Sequence, residues 1–178
     1  LTGDIPSNIG NLNLTRIELS RNQLGCKDYD PEGEECTEYC DGINGCTGEI
    51  PPEIGNLSNL EALFLDKNHL IGGIPTTIAD LSSLKELDVR NNQLGCYEYD
   101  YEGGCGESNG QQYECCNIHC DETEECSGQV PEELAQLINL EALSLGENLF
   151  TSLPDNICDF NINVTEGMGF YMGNNNLC

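Results

Sequence analysis

Residues 60–84 read LEALFLDKNHLIGGIPTTIADLSSL, and this stretch decides the fold. Leu60, Leu63, Leu65, Asn68 and Leu70 follow the pattern L-x-x-L-x-L-x-x-N-x-L. Leu63 and Leu65 are two apart, so they share one face of a short strand, while Ala62, Phe64 and Asp66 turn to the other. The pattern begins again at Leu84, 24 residues after Leu60. A coil of that length cannot bury its apolar side alone and needs a similar coil above and below it.

Such coils are present on both sides. Leu14, Ile17, Leu19, Asn22 and Leu24 form an earlier copy; Leu84, Leu87, Val89, Asn92 and Leu94 form a third; Leu140, Leu143, Leu145, Asn148 and Phe150 form a fourth. A degenerate fifth reads Phe170, Met172, Asn175 and Leu177. The second half of each coil recurs as Ile5-Pro6, Ile50-Pro51, Ile74-Pro75, Val130-Pro131 and Leu153-Pro154. Proline fixes φ and withholds an N–H, which suits a position outside any strand ladder, on the outer side of the coil.

The run L-x-G-x-I-P-x-x-I-G-N-L, complete at Leu1–Leu12 and nearly so at Thr47–Leu57, resembles the plant-specific class of leucine-rich repeat. That class occurs in receptor-kinase ectodomains, polygalacturonase-inhibiting proteins, and secreted bacterial and protist repeat proteins. The C-terminal run Pro154–Cys178, with NICDFNIN followed by NNNLC, resembles the closing repeat of the secreted bacterial members. The resemblance covers about two-thirds of the chain. It implies a β-rich solenoid: a right-handed superhelix with a parallel concave sheet and a convex side of short 3-10 and irregular segments. It says less about function, because one fold serves many partners.

Composition agrees. The 178 residues suit one solenoid spanning 1–178, which grows by repeats and not around one globular centre. Twelve cysteines exceed what a reduced cytosol tolerates and point to an extracellular or cell-surface setting. No run is long enough to insert directly into a membrane. Leu1 starts within a repeat and Cys178 follows an N-x-L, so the chain reads as part of a longer protein.

Two surpluses interrupt the period. Leu14 to Leu60 spans 46 residues, one 24-residue period and 22 more, the surplus being residues 25–46. Leu84 to Leu140 spans 56, with a surplus of 32 at residues 95–126. Both leave after N-Q-L-G-C and rejoin before T/S-G-x-I/V-P, so they are insertions into an intact solenoid. Cys26, Cys36, Cys40 and Cys46 correspond to Cys96, Cys116, Cys120 and Cys126; the second insertion adds Cys105 and Cys115, and Cys158 and Cys178 lie in the last coils. Even numbers in each segment predict bridges that stay within segments. If EECTEYC and YECCNIHC are helical, the two cysteines of each run point toward the insertion base, and each bonds Cys26 or Cys46, or Cys96 or Cys126. Cys105 then pairs with Cys115, and Cys158 with Cys178. Equivalent exits two coils apart place the insertions on one flank, their bases roughly 10 Å apart, as a wall beside the concave face.

That wall is acidic, with seven and nine of the 32 acids. Five of the six bases (Arg16, Arg21, Lys67, Lys85 and Arg90) fall in the strand segments beside seven acids. A net charge of −26 excludes nucleic acid and anionic membranes as partners, since the long-range field repels both.

Catalysis finds no footing: His69 and His119 belong to no triad spacing, and the acids spread over solvated faces. Cys115-Cys116-Asn-Ile-His119-Cys120 reads as paired cysteines in preference to a zinc site, given the compartment. Asp28-x-Asp30-x-Glu32-Gly33 resembles the opening of a calcium loop, but Tyr39 stands where the bidentate acid belongs. Asn13, Asn56 and Asn163 open glycosylation sequons. Asn22, Asn68, Asn92 and Asn148 read as a ladder satisfying backbone groups after each strand.

No cofactor is required by these residues, calcium at Asp28, Asp30 and Glu32 being the sole candidate. The expected role is binding a protein, peptide or glycan on the concave face. Candidate contacts are Arg16, Glu18, Arg21, Phe64, Asp66, Lys67, Asp88 and Arg90. Phe64 is the centre, with Arg21, Lys67 and Arg90 around it, which suits a ligand of some negative or polar character. Alternatives are a structural or adhesion module whose acidic insertions hold calcium, and, by resemblance to the polygalacturonase inhibitors, an enzyme inhibitor.

Overall fold

A computed structural model of the chain describes residues 1–40, 45–96, 128–156 and 173, and the backbone alone of 97–99, 107–108, 111–112, 116–119 and 170–171. Strands Arg16–Glu18, Ala62–Phe64, Glu86–Asp88, Ala142–Ser144 and Phe170–Tyr171 line up in that order as one parallel five-stranded sheet. The register puts Ile17, Leu63, Leu87, Leu143 and Phe170 on adjacent rungs. Each of the first four strands is the second apolar position of its repeat with its two neighbours, and Phe170 pairs with Leu143, so the degenerate fifth copy is a rung of the same stack.

Inside the coils, Leu60, Leu63, Leu65, Leu70, Leu81 and Leu84 lose all contact with water. They form one continuous apolar stack running from Ile5 to Phe150. The outer side consists of 3-10 turns at Ser7–Asn11, Pro52–Asn56, Thr76–Asp80 and Glu132–Gln136. Pro6, Pro51, Pro75 and Pro131 precede them at φ between −65° and −70°, and the carbonyl of each accepts the N–H three residues on. Proline there needs no partner for a missing N–H, as its sequence position implied. Among the described residues no helix is long and apolar enough to cross a membrane.

The asparagine ladder closes the strand ends. Arg21, Lys67, Asn91 and Glu147 occupy equivalent positions at φ 55–56°, in the left-handed region, and turn the chain out of the sheet. The carbonyls of Leu19, Leu65 and Val89 are then left without a backbone donor from the next coil. The Asn68 side-chain N–H₂ donates to Leu19 O (3.0 Å) and Leu65 O (2.8 Å), and its Oδ1 accepts the Leu24 N–H at 3.1 Å. Asn92 and Asn148 repeat this one and two coils on.

The local structure of residues 25–40 does not follow the helical reading. Cys26–Asp30 and Glu35–Tyr39 form an antiparallel hairpin. EECTEYC lies in its second strand, where threonine, tyrosine and cysteine fit a pleated surface. YECCNIHC is not helical either: Cys116–His119 pairs antiparallel with Cys96–Tyr99. The bridges in the first insertion are Cys26–Cys36 and Cys40–Cys46, so each outer cysteine does bond a base cysteine. Strand pairing, not helical spacing, brings them together. Cys96 is disulfide-bonded. Cys105, Cys115, Cys120, Cys126, Cys158 and Cys178 lie outside the described residues, as does most of the second insertion.

Candidate functional site

On the concave sheet, Glu18, Phe64, Asp88 and Ser144 stand on adjacent rungs of one column. Arg16, Ala62, Glu86 and Ala142 form the column before it. After the strands come Ser20, Asp66, Arg90 and Gly146, and then the left-handed residues Arg21, Lys67, Asn91 and Glu147. The leucines between them are buried, which holds all of these side chains on the open face.

Three of the bases are committed to acids of the same face. Arg16 meets Glu18 at 2.7 Å, Lys85 meets Glu61 at 2.7 Å, and Arg90 meets Asp88 at 2.9 Å. The charge and hydrogen bond of Glu61 raise the pKa of Lys85. Arg16 also lies over the half-buried Phe64 ring, 4.4 Å from its centre. The cation on the aromatic is therefore Arg16, while Arg90 turns to Asp88. Arg21 and Lys67 are exposed and make no ion pair among the described residues.

Two acids of this face are sunk into it: Asp66 is 7% exposed and Asp88 8%. Desolvation raises the pKa of Asp88, opposed by the Arg90 backbone N–H and guanidinium and reinforced by the charge of Asp66. The Asp66 carboxylate takes no hydrogen bond and no ion pair among the described residues.

The hairpin packs against the edge of the sheet. Tyr39 meets the His69 ring edge-on at 5.2 Å, and His69 Nε2 lies 2.7 Å from Gln23 Oε1. Burial lowers the pKa of His69. His69, which its sequence spacing ties to no triad, is thus where the insertion seats on the solenoid. The contact depends on Tyr39 returning along the hairpin, which no spacing revealed. Asp4 is a second unforeseen anchor: its Oδ1 accepts the Thr47 and Gly48 N–H groups at 2.8 Å, fixing the insertion's return.

The calcium candidates do not converge. Asp28 and Asp30 stand opposite Glu38 and Glu35 across the hairpin, and Asp30 accepts the Glu32 N–H at 2.8 Å. Among the described residues, the one group of three candidate ligand atoms within 4.8 Å of one another is Asp4, Cys40 and Cys46, and those two cysteines are bonded to each other. Asn13 and Asn56 are exposed, with Asn13 Oδ1 accepting from Asn59 at 2.8 Å; Asn163 is outside the described residues.

No protein-family model matches the chain. Among curated proteins of Arabidopsis thaliana, the chain is 47% identical over 51 residues to the LRR receptor-like serine/threonine-protein kinase GSO2. It is 38% identical over 82 residues to the LRR receptor-like serine/threonine-protein kinase EFR. These matches take in 28% and 44% of the chain but only 4% and 8% of the two relatives. Among solved structures, the plant peptide hormone receptor RGFR1 in complex with RGF2 superposes over 90% of the chain and 18% of its own, at TM-score 0.58 and 23% identity. The Arabidopsis GASSHO1/SCHENGEN3 ectodomain in complex with CASPARIAN STRIP INTEGRITY FACTOR 2 gives 0.51 at 29% identity, over 89% and 16%. Arabidopsis HAESA in complex with the peptide hormone IDA and the co-receptor SERK1 gives 0.51 at 26%, over 98% and 24%. The fold is a leucine-rich-repeat solenoid, and its repeats are similar to those of the plant receptors it matches.

Proposed function

We propose that this plant-type leucine-rich-repeat solenoid is an extracellular ligand-binding segment that takes a peptide along its concave sheet. The observation that supports this most directly is the concave register. It sets Phe64 among the charged residues of the face, with a rigid apolar stack behind it. Preorganised strands hold such a surface without the entropy cost of ordering loops. Solenoids of similar fold, at 26–29% identity, are in complex with a peptide hormone and with CASPARIAN STRIP INTEGRITY FACTOR 2. The role is binding and not catalysis, and the two bridges of the hairpin fit an oxidising exterior. Protein partners fit the same surface.

On this reading Glu18, Phe64, Asp66, Asp88 and Arg90 form the floor, Arg16 caps Phe64, and Arg21 and Lys67 line the edge beneath the hairpin. Peptides selected from a displayed random library on the wild-type chain test it. They should bind Phe64→Ala at least tenfold more weakly, since a central aromatic carries a large share of interface energy. Glu133→Ala, on the convex side, should bind as wild type does. Equal binding by Phe64→Ala and wild type would move the site off the concave face.

A further inference from the structure

Several charges of the concave grid have no ion pair among the described residues, and Asp66 is the most deeply sunk of them. Glu18, Glu61 and Asp88 each hold a base of the same face at 2.7–2.9 Å. Asp66 holds none. It is 93% withdrawn from water, yet among the described residues its carboxylate has neither a hydrogen bond nor an ion pair. Its nearest bases in the grid are committed or turned away, Arg90 to Asp88 and Lys67 to the exposed edge. Asp88, opposite Phe64 on the next rung, is near enough to feel the charge of Asp66. The residue is sunk into the face, but its carboxylate oxygens still reach solvent and stand open to a ligand.

From this arrangement we infer that Asp66 is the seat of a cationic side chain of the bound peptide, an ammonium or a guanidinium resting beside Phe64. The inference deepens the concave-face reading and rests on it. Phe64 is two residues before Asp66 and shares its face, and its ring already accepts a guanidinium, that of Arg16, at 4.4 Å. An aromatic plane beside a carboxylate suits a flat or compact organic cation. A divalent metal fits less well: calcium takes six to eight oxygens, and no third acid among the described residues joins Asp66 and Asp88 within 4.8 Å. The net charge of −26 draws cationic peptides toward the surface before any contact is made.

Two measurements on the intact chain test the inference. In the first, N-acetyl-arginine amide and N-acetyl-lysine amide are titrated while the side-chain carboxyl carbon of Asp66 is followed by NMR. Saturable shifts at Asp66, absent with N-acetyl-glutamine amide and weakened at least fivefold by Phe64→Ala, are expected. No shift, or equal shifts with all three probes, would overturn the inference. Tighter saturation by calcium chloride alone would overturn the organic class of cation.

In the second, displayed peptides are selected in parallel on wild type and on Asp66→Asn. Wild type should enrich one Lys or Arg position that Asp66→Asn does not enrich, while Phe64 dependence survives in both pools. Pools that depend on Phe64 but carry no basic position would remove the cation seat and leave the concave site standing. Pools indifferent to Phe64 would remove both.

Discussion

Replacing Asn68 with alanine removes the centre of the asparagine ladder, and the hydrogen bonds set the cost. Leu24 N–H loses its acceptor at 3.1 Å, in a buried place with no water to replace it. That orphaned donor costs about 1–3 kcal/mol. The two carbonyls fare better, because each is shared: Leu19 O keeps Asn22 at 2.9 Å, and Leu65 O keeps Asn92 at 3.1 Å. Their loss adds about 1 kcal/mol together, so Asn68→Ala should destabilise by about 3 kcal/mol. Asn22 sits at the part-exposed end of the ladder and, within it, shares only Leu19 O with the next asparagine. Asn22→Ala should therefore cost about 1 kcal/mol. The double variant strips Leu19 O of both side-chain donors, so the two changes together should exceed their sum by about 1 kcal/mol. Urea unfolding followed by circular dichroism measures all three. Equal costs for the two single variants, or strict additivity in the double, would refute the shared-acceptor account.

Gly25 begins the insertion at φ +86°, and a Cβ there would lie 2.1 Å from the His69 carbonyl oxygen. Gly25→Ala should cost about 3 kcal/mol or more in thermal unfolding. Gly3→Ala, at φ +75° with open space around it, should cost only about 1 kcal/mol; similar losses in both would dismiss the clash. Burial lowers the pKa of His69, so the unfolded chain binds a proton at pH values where the folded chain does not. Stability should therefore fall as pH drops through about 6.5, the ordinary histidine value, and continue to fall toward the lower folded value. His69→Gln should lose that part of the pH dependence between pH 7.5 and 5.5; an unchanged profile would remove His69 from the account.

The repeats were legible from the sequence because a solenoid is held by contacts between neighbouring coils. Leu60, Leu63 and Leu65 state their own face, and the 24-residue period states where the next coil must lie. Register follows: Glu18, Phe64 and Asp88 align on adjacent strands as their repeat positions require. Asn68 announced its ladder for the same reason, since the end of each strand exposes the same backbone groups in every coil.

The insertion obeys no period, and there the sequence was ambiguous. Cys36 and Cys40 are four apart, which a helix would align; the antiparallel partner supplied by Cys26–Asp30 decides for a strand instead. Side-chain pairing on the concave face was also decided by tertiary structure. Repeat positions put Arg21, Lys67 and Arg90 around Phe64. Arg16 took the ring because its partner Glu18, two residues on along the same strand, stands opposite Phe64, and Arg90 took Asp88. Long charged side chains choose among several neighbours within reach, so their partners depend on the assembled surface. The burial of Asp66 likewise depends on which neighbouring side chains stand over it. By itself the sequence determined the coil, its period and its register; the folded surface decided which charges pair and which, like Asp66, do not.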